Sequence, residues 1–171
     1  AHEHDEVQPD MVVLGKALGG GILPIAAVVA RRDLDVAGGY AIGHYTHEKN
    51  PVTTRAALTT INIIREEGLT ERAAELGAYA MERLRNFGAS CPAVGDVRGR
   101  GLLFGVELVS DRDAWRPDNA LAERVYYRCL EAGLSFKISQ GNVLTLSPPM
   151  IIARADLERA LGIVEQAILA G

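Results

Sequence analysis

The sequence predicts an α/β fold, and three observations carry that prediction. Two short apolar runs, residues 11–14 and 24–30, show no alternation and are bounded by glycines or charges, as strands buried on both faces of a parallel or mixed sheet are. Two longer stretches after Pro51 repeat their apolar residues at helical spacing. Beyond residue 100 the pattern reads strand, helix, strand, strand, helix, an α+β layer.

Taken in order, the first strand (11–14) and the second (24–30) flank Gly15-Lys16-Ala17-Leu18-Gly19-Gly20-Gly21, a glycine-rich turn too short for a helix, which brings the backbone close to something. A helix runs from Pro51 to about Glu67: proline suits a first turn, Ala57, Leu58, Ile61 and Ile64 share a face, and Gly68 ends it. A second helix spans about 70–87, with Ala73, Leu76, Ala80 and Leu84 on one stripe and Gly88 closing it. Residues 102–109 read as a strand, 121–132 as a helix, 134–138 and 143–146 as strands. The last helix begins near Ala155-Asp156 and carries Leu157, Leu161, Val164 and Ile168 on one face. A domain boundary falls near residues 67–70, giving domains 1–69 and 70–171. Asp111-Arg112-Asp113 and Trp115 read as a solvated loop.

Composition narrows the function classes. With 171 residues, 48% hydrophobic and 23% charged, the chain builds a real core. Its net charge of −4, without a run of Lys or Arg, argues against nucleic acid as a partner. No apolar stretch approaches the roughly 20 residues that span a bilayer, and the N-terminus is not a targeting segment, so no membrane partner and a cytoplasmic location are expected. Cys91 and Cys129 lack ligand or disulfide spacing, which predicts idle or buried thiols and no metal site. The chain begins at Ala1 without an initiator Met, and is expected to be part of a longer polypeptide.

Lys16 ends a strand beside a glycine-rich turn, the place where open α/β sheets hold ligands. A lysine amine becomes nucleophilic when desolvation or a nearby cation lowers its pKa. Alone, it would read as a surface lysine closing a strand. The glycines follow it, so it is not the lysine of a phosphate-binding P-loop.

Residues 9–27 (PDMVVLGKALGGGILPIAA) resemble, nearly residue for residue, the lysine segment of class III aminotransferases. The resemblance implies a fold-type-I pyridoxal-phosphate (PLP) transferase, seen here as the end of its PLP-binding large domain and its α+β C-terminal small domain. It further implies that Lys16 forms the Schiff base with PLP and then shuttles the substrate's proton. Residues 44–51 (HYTHEKNP) resemble the family's T-x-G-G-N-P turn, with Glu48-Lys49 in place of two glycines. Thr46 falls on the threonine that binds the cofactor phosphate of the partner subunit, which implies a homodimer with shared active sites. His44, Tyr45 and His47 share this turn and either line a pocket or serve as polar turn residues.

Residues 95–108 (GDVRGRGLLFGVEL) resemble the family's G-D-V-R-G-x-G-L segment, where Asp96 and Arg98 are expected to be structural, pairing or bonding to backbone at a turn. Residues 141–150 (GNVLTLSPPM) resemble its last strand and Pro-Pro turn. Many family aminotransferases carry there an arginine that holds the substrate carboxylate; Thr145 stands in its place. Relatives without that arginine include racemases, epimerases and ammonia- or phospho-lyases.

The resemblance thus implies amino transfer between a small amine or amino acid and a keto acid. Racemisation or elimination within the same family is an alternative, as is a non-catalytic dimerisation or interaction module. The family's upstream aspartate, stacking aromatic and glycine-serine phosphate loop have no counterpart in these residues, so the chain alone is expected to be inactive. Residues 2–8 (HEHDEVQ) share letters with the aspartate motif by coincidence.

Overall fold

The computed structural model describes residues 2–40, 43 and 46–171. The chain falls into two compact units, Ala1–Glu67 and Gly68–Gly171.

In the first unit, strand β1 (Met11–Leu14) pairs antiparallel with β2 (Ala27–Ala30), in the register Met11↔Ala30 to Leu14↔Ala27. A single 3-10 turn, Lys16–Gly19, follows β1. The expectation of buried strands in a parallel or mixed sheet fails in this unit. The two strands pair only with each other, and no described element of the unit covers their faces, so Val13 is 77% and Val28 63% exposed. Helix α1 (Pro51–Glu66) starts as expected at a proline. Asn50 is its cap: Oδ1 accepts from the Val52 amide at 2.9 Å and the Thr53 amide at 3.4 Å. Gly68, at φ 59°, takes the left-handed conformation beyond its end.

The second unit opens with helix α2 (Leu69–Ser90), then β3 (Val94–Arg100), β4 (Leu103–Asp111) and β5 (Arg116–Pro117). Helix α3 (Asn119–Glu131), β6 (Lys137–Ser139), β7 (Val143–Leu146) and α4 (Arg154–Leu169) complete it. The sheet is antiparallel, in the order β3-β4-β7-β6, with β5 paired to β4. Alternation sorts its faces. Val97, Phe104, Val106, Leu108, Ile138, Leu144 and Leu146 point to one side, where they meet Leu84 of α2, Val125 of α3 and Leu161 of α4. Each large apolar side chain buried there contributes about 1.5–3 kcal/mol.

Four local expectations need correction. Gly88 lies inside α2 and does not end it; a Cβ there would sit 3.0 Å from Val94 Cγ1, so glycine lets the helix press against β3. Asp96 and Arg98 lie on a strand and not at a turn, because a bulge between Val94 and Asp96 breaks the period-two signal of β3. Strand β6 begins at Lys137, three residues later than expected. Arg112 is tied down: its guanidinium donates to the carbonyls of Gly88 at 2.6 Å, Cys91 at 2.9 Å and Val94, around the C-terminal end of α2. Both cysteines are buried and unpaired, and burial pushes the Cys129 thiol up to about 11. No helix of the described residues is long and apolar enough to cross a membrane.

Candidate active site

Lys16 stands where β1 gives way to the 3-10 turn, and its own backbone is in the left-handed region at φ 53°. For a residue with a Cβ this conformation costs about 1–2 kcal/mol and persists only where the surroundings impose it. The surroundings are the glycines. Gly20, at φ 74°, returns its amide to the Ala17 carbonyl at 2.9 Å, and a Cβ on it would lie 3.1 Å from Thr60 Oγ1 of α1. Gly19 is buried, and a Cβ there would lie 3.1 Å from Ile25 Cγ2. The turn is thereby pressed between α1 and the segment leading into β2, and Lys16 is left projecting from it.

An open hollow of about 560 Å³ is lined by Lys16, Pro24, Ile25 and Ala26. That volume lies in the range of small-molecule sites. The amine of Lys16 is exposed, and among the described residues it has no hydrogen bond or ion pair. A primary amine beside apolar and backbone surface, with no competing carboxylate, is the group that attacks a carbonyl once it has lost its proton.

Thr46 opens the exposed turn before α1 and is itself exposed, as is His47. Lys49 of that turn is at φ 56° and lies 4.0 Å from Glu48, a surface pair worth little. The Val52 and Thr53 amides, which a helix start would offer to an anion, are taken by Asn50. The exposed hydroxyl of Thr46 stands at this end of α1 together with the exposed side chains of His47 and Lys49. His44 and Tyr45 lie outside the described residues.

In the second unit the face of the sheet opposite the core carries the remaining residues singled out by sequence. Arg98 Nη1 meets Asp96 at 2.8 Å and Glu107 at 2.5 Å, and the two carboxylates, Asp96 first, hold its pKa above the ordinary value. The expected Asp96–Arg98 pairing is present, with Glu107 as a third member. Thr145 pairs with Gly105 of β4 and Lys137 of β6, and its Oγ1 lies 2.9 Å from Ser139 Oγ. Asn142, which carried no sequence signal, is buried; its Nδ2 donates to the Leu108 carbonyl at 2.9 Å and pins β7 to β4. Ser139 and Lys137 also went unnoticed, although period-two alternation from Thr145 across a hairpin would have found them.

Comparison with known proteins identifies the lineage. The family model described as aminotransferase class-III matches residues 1–168. The chain is 46% identical over 167 residues to the (R)-1-hydroxy-2-aminoethylphosphonate ammonia-lyase of Vibrio splendidus, covering 98% of this chain and 35% of that protein. It is 43% identical over 169 residues to the leucine/methionine racemase of Thermococcus litoralis, covering 98% of this chain and 38% of that protein. Among solved structures, a Bacillus anthracis aminotransferase matches with a TM-score of 0.90 at 32% identity, over 99% of this chain and 41% of its own. The chain therefore spans less than half the length of the relatives it matches. Its fold is the α/β fold of class-III aminotransferase structures over that partial region. On these grounds the chain belongs to the class-III aminotransferase family, whose members use pyridoxal phosphate.

Proposed function

We propose that the chain carries the cofactor-binding lysine and the C-terminal domain of a PLP enzyme acting on the amino group of a small molecule. Residues 1–69 are the end of the PLP-binding large domain and 70–171 the small domain. The observation that carries this is Lys16: a strained, exposed amine without a partner among the described residues, beside a hollow of about 560 Å³. A non-catalytic module has no physical need to keep an amine beside that hollow. The residues present fit the cofactor, since an amine free to bond an aldehyde carbon and a threonine hydroxyl free to donate to a phosphate are the donor types it requires.

When bound, PLP withdraws electron density from the substrate carbon that bears the amine. Lys16 Nζ would hold the cofactor by its aldehyde carbon and, when free of it, would take the proton from the substrate carbon. Thr46 would donate to the cofactor phosphate of the partner subunit in a homodimer with shared sites.

Where the proton goes next defines the reaction. Thr145, a neutral hydroxyl engaged with Ser139, stands where many family aminotransferases carry an arginine, and that departure from their pattern favours racemisation or elimination of ammonia over amino transfer to a keto acid. Similarity to an ammonia-lyase and a racemase supports the same order. Amino transfer is the competing reading.

Exchange of the substrate's carbon-bound hydrogen in heavy water, followed by NMR on the holoenzyme, tests the role of Lys16. Lys16→Ala is expected to slow exchange at least ~100-fold; unchanged exchange removes the proposal. Ammonia release without a keto acid supports elimination, and strict dependence on a keto acid supports amino transfer.

A further inference from the structure

On the core side of the second unit's sheet lies a largely enclosed hollow of about 230 Å³. Its floor is Phe104 of β4, Leu146 of β7 and Leu157 and Leu161 of α4, all buried. Leu134 and Phe136, between α3 and β6, form one lip, and Pro148, Pro149 and Ile152, between β7 and α4, form the other. Leu146 points to the side opposite Thr145, as alternation along β7 requires, so the hollow and the Thr145 side chain lie on different faces of the sheet.

Protein interiors close gaps of this size where the backbone yields. Here both lips are held. Gly133 turns the chain at φ 84°, and the Leu134 amide donates back to the Cys129 carbonyl at 2.8 Å. Two consecutive prolines fix φ in the other lip. The Ile152 amide donates to the Pro149 carbonyl at 2.9 Å, and the Ile152 carbonyl accepts from Arg72 Nη2 of α2 at 2.7 Å. The hollow is thus preformed, which spares a guest the cost of ordering its site. No charged side chain lines it, so an ammonium or carboxylate would lose its water there without a partner. The polar side chains that do line it are Ser135 and Ser147, one beside each lip and both exposed. Neither hydroxyl is hydrogen-bonded among the described residues, unlike those of Ser90, Ser110 and Ser139.

We propose that this hollow binds a small neutral phenol, with its ring against Phe104, Phe136 and the aliphatic floor and its hydroxyl at the two serines. An apolar cavity of roughly 150 Å³ already takes a benzene ring, so this one has room for a ring with one or two small substituents. Phe104 and Phe136 add aromatic contact beyond the area buried. Ser135 and Ser147 each donate or accept, so the guest's hydroxyl is satisfied on entry. The site is built wholly from residues of Gly68–Gly171 and is independent of the amino-group chemistry proposed above.

The test titrates 4-methylphenol, p-xylene and 4-methylbenzoate into the full-length holoenzyme, with affinities read by ligand-observed NMR. Wild type is expected to bind the phenol saturably and the benzoate at least about tenfold more weakly. Ala160 also lines the hollow. Ala160→Met, from α4, and Ile152→Phe, from the turn, fill it from different walls, and each is expected to weaken the phenol about tenfold or more, with a denaturant midpoint confirming the fold. Ser135→Ala combined with Ser147→Ala is expected to weaken the phenol about fivefold and leave p-xylene unchanged, a split that a merely structural role for the serines would not produce. The site is overturned by no saturable binding to wild type, by phenol binding undiminished in both folded filling variants, or by the benzoate binding as tightly as the phenol. Equal losses for the phenol and p-xylene in the serine variant overturn the assignment of the phenol's hydroxyl to the serines.

Discussion

The two units handle their apolar residues in opposite ways. In Gly68–Gly171 they converge, with Leu84, Val106, Leu108, Leu144 and Leu161 at zero exposure. In Ala1–Glu67 the only buried residues among those described are Gly19 and Ala57, while Val13, Ile22 and Val28 are exposed at 77%, 87% and 63%. The difference separates stability from chemistry: the second unit has its own hydrophobic core, and the first presents the amine on a strained turn held by glycines. Such strain persists only where surrounding packing imposes it.

The comparison is broken most directly by truncating one apolar residue in each unit. Phe104→Ala, at a position 2% exposed, is expected to cost about 3–5 kcal/mol in denaturant unfolding, and Val13→Ala about 0.5 kcal/mol or less. Comparable losses would mean that the first unit shares a packed core after all.

Alkaline pH probes the second unit next. Cys129 ionises near 9 when exposed and near 11 when buried, so between those values the unfolded chain has released a proton that the folded chain retains. The unfolded state then binds fewer protons, and stability falls as pH rises, by up to about 3 kcal/mol across the window. Cys129→Ala should flatten that part of the pH–stability curve, and below pH 8 the slope from this group should be absent.

Smaller effects sharpen the contrast. Arg112→Met removes the donors that close the end of α2 and should cost about 2 kcal/mol, read as a shift in the denaturant midpoint at constant slope. In the first unit, Asn50→Ala removes the cap of α1 and should cost about 1 kcal/mol, seen as lost helical circular dichroism, while Asn50→Asp retains the signal.

The second unit was the more legible in sequence, for the same reason that it is the better packed. The stripe of Leu76, Ala80 and Leu84 and the β7 run Val143–Leu146 each report a face that the same unit buries. Strands β1 and β2 misled because a continuous apolar run tells what both faces prefer and not whether the neighbourhood supplies a cover. Arg112 could not be read from its polar neighbours, since its carbonyl partners stand 18 to 24 positions away. Of the candidate site, Lys16 and its glycines were legible as a strand end beside a flexible turn. The left-handed backbone of Lys16 was not, because lysine carries no sequence signal for it. Thr145 stood out by resemblance, whereas Ser139 and Lys137 became visible only when register set them beside it.

The central claim is that Lys16 bonds the cofactor, and it is tested most directly by incubating the holoenzyme with borohydride and locating the reduced pyridoxyl group by peptide mass spectrometry. The account predicts one modified residue, Lys16, and no stable adduct in Lys16→Ala. A pyridoxyl group on Lys49 or Lys137, with Lys16 unmodified, would contradict it.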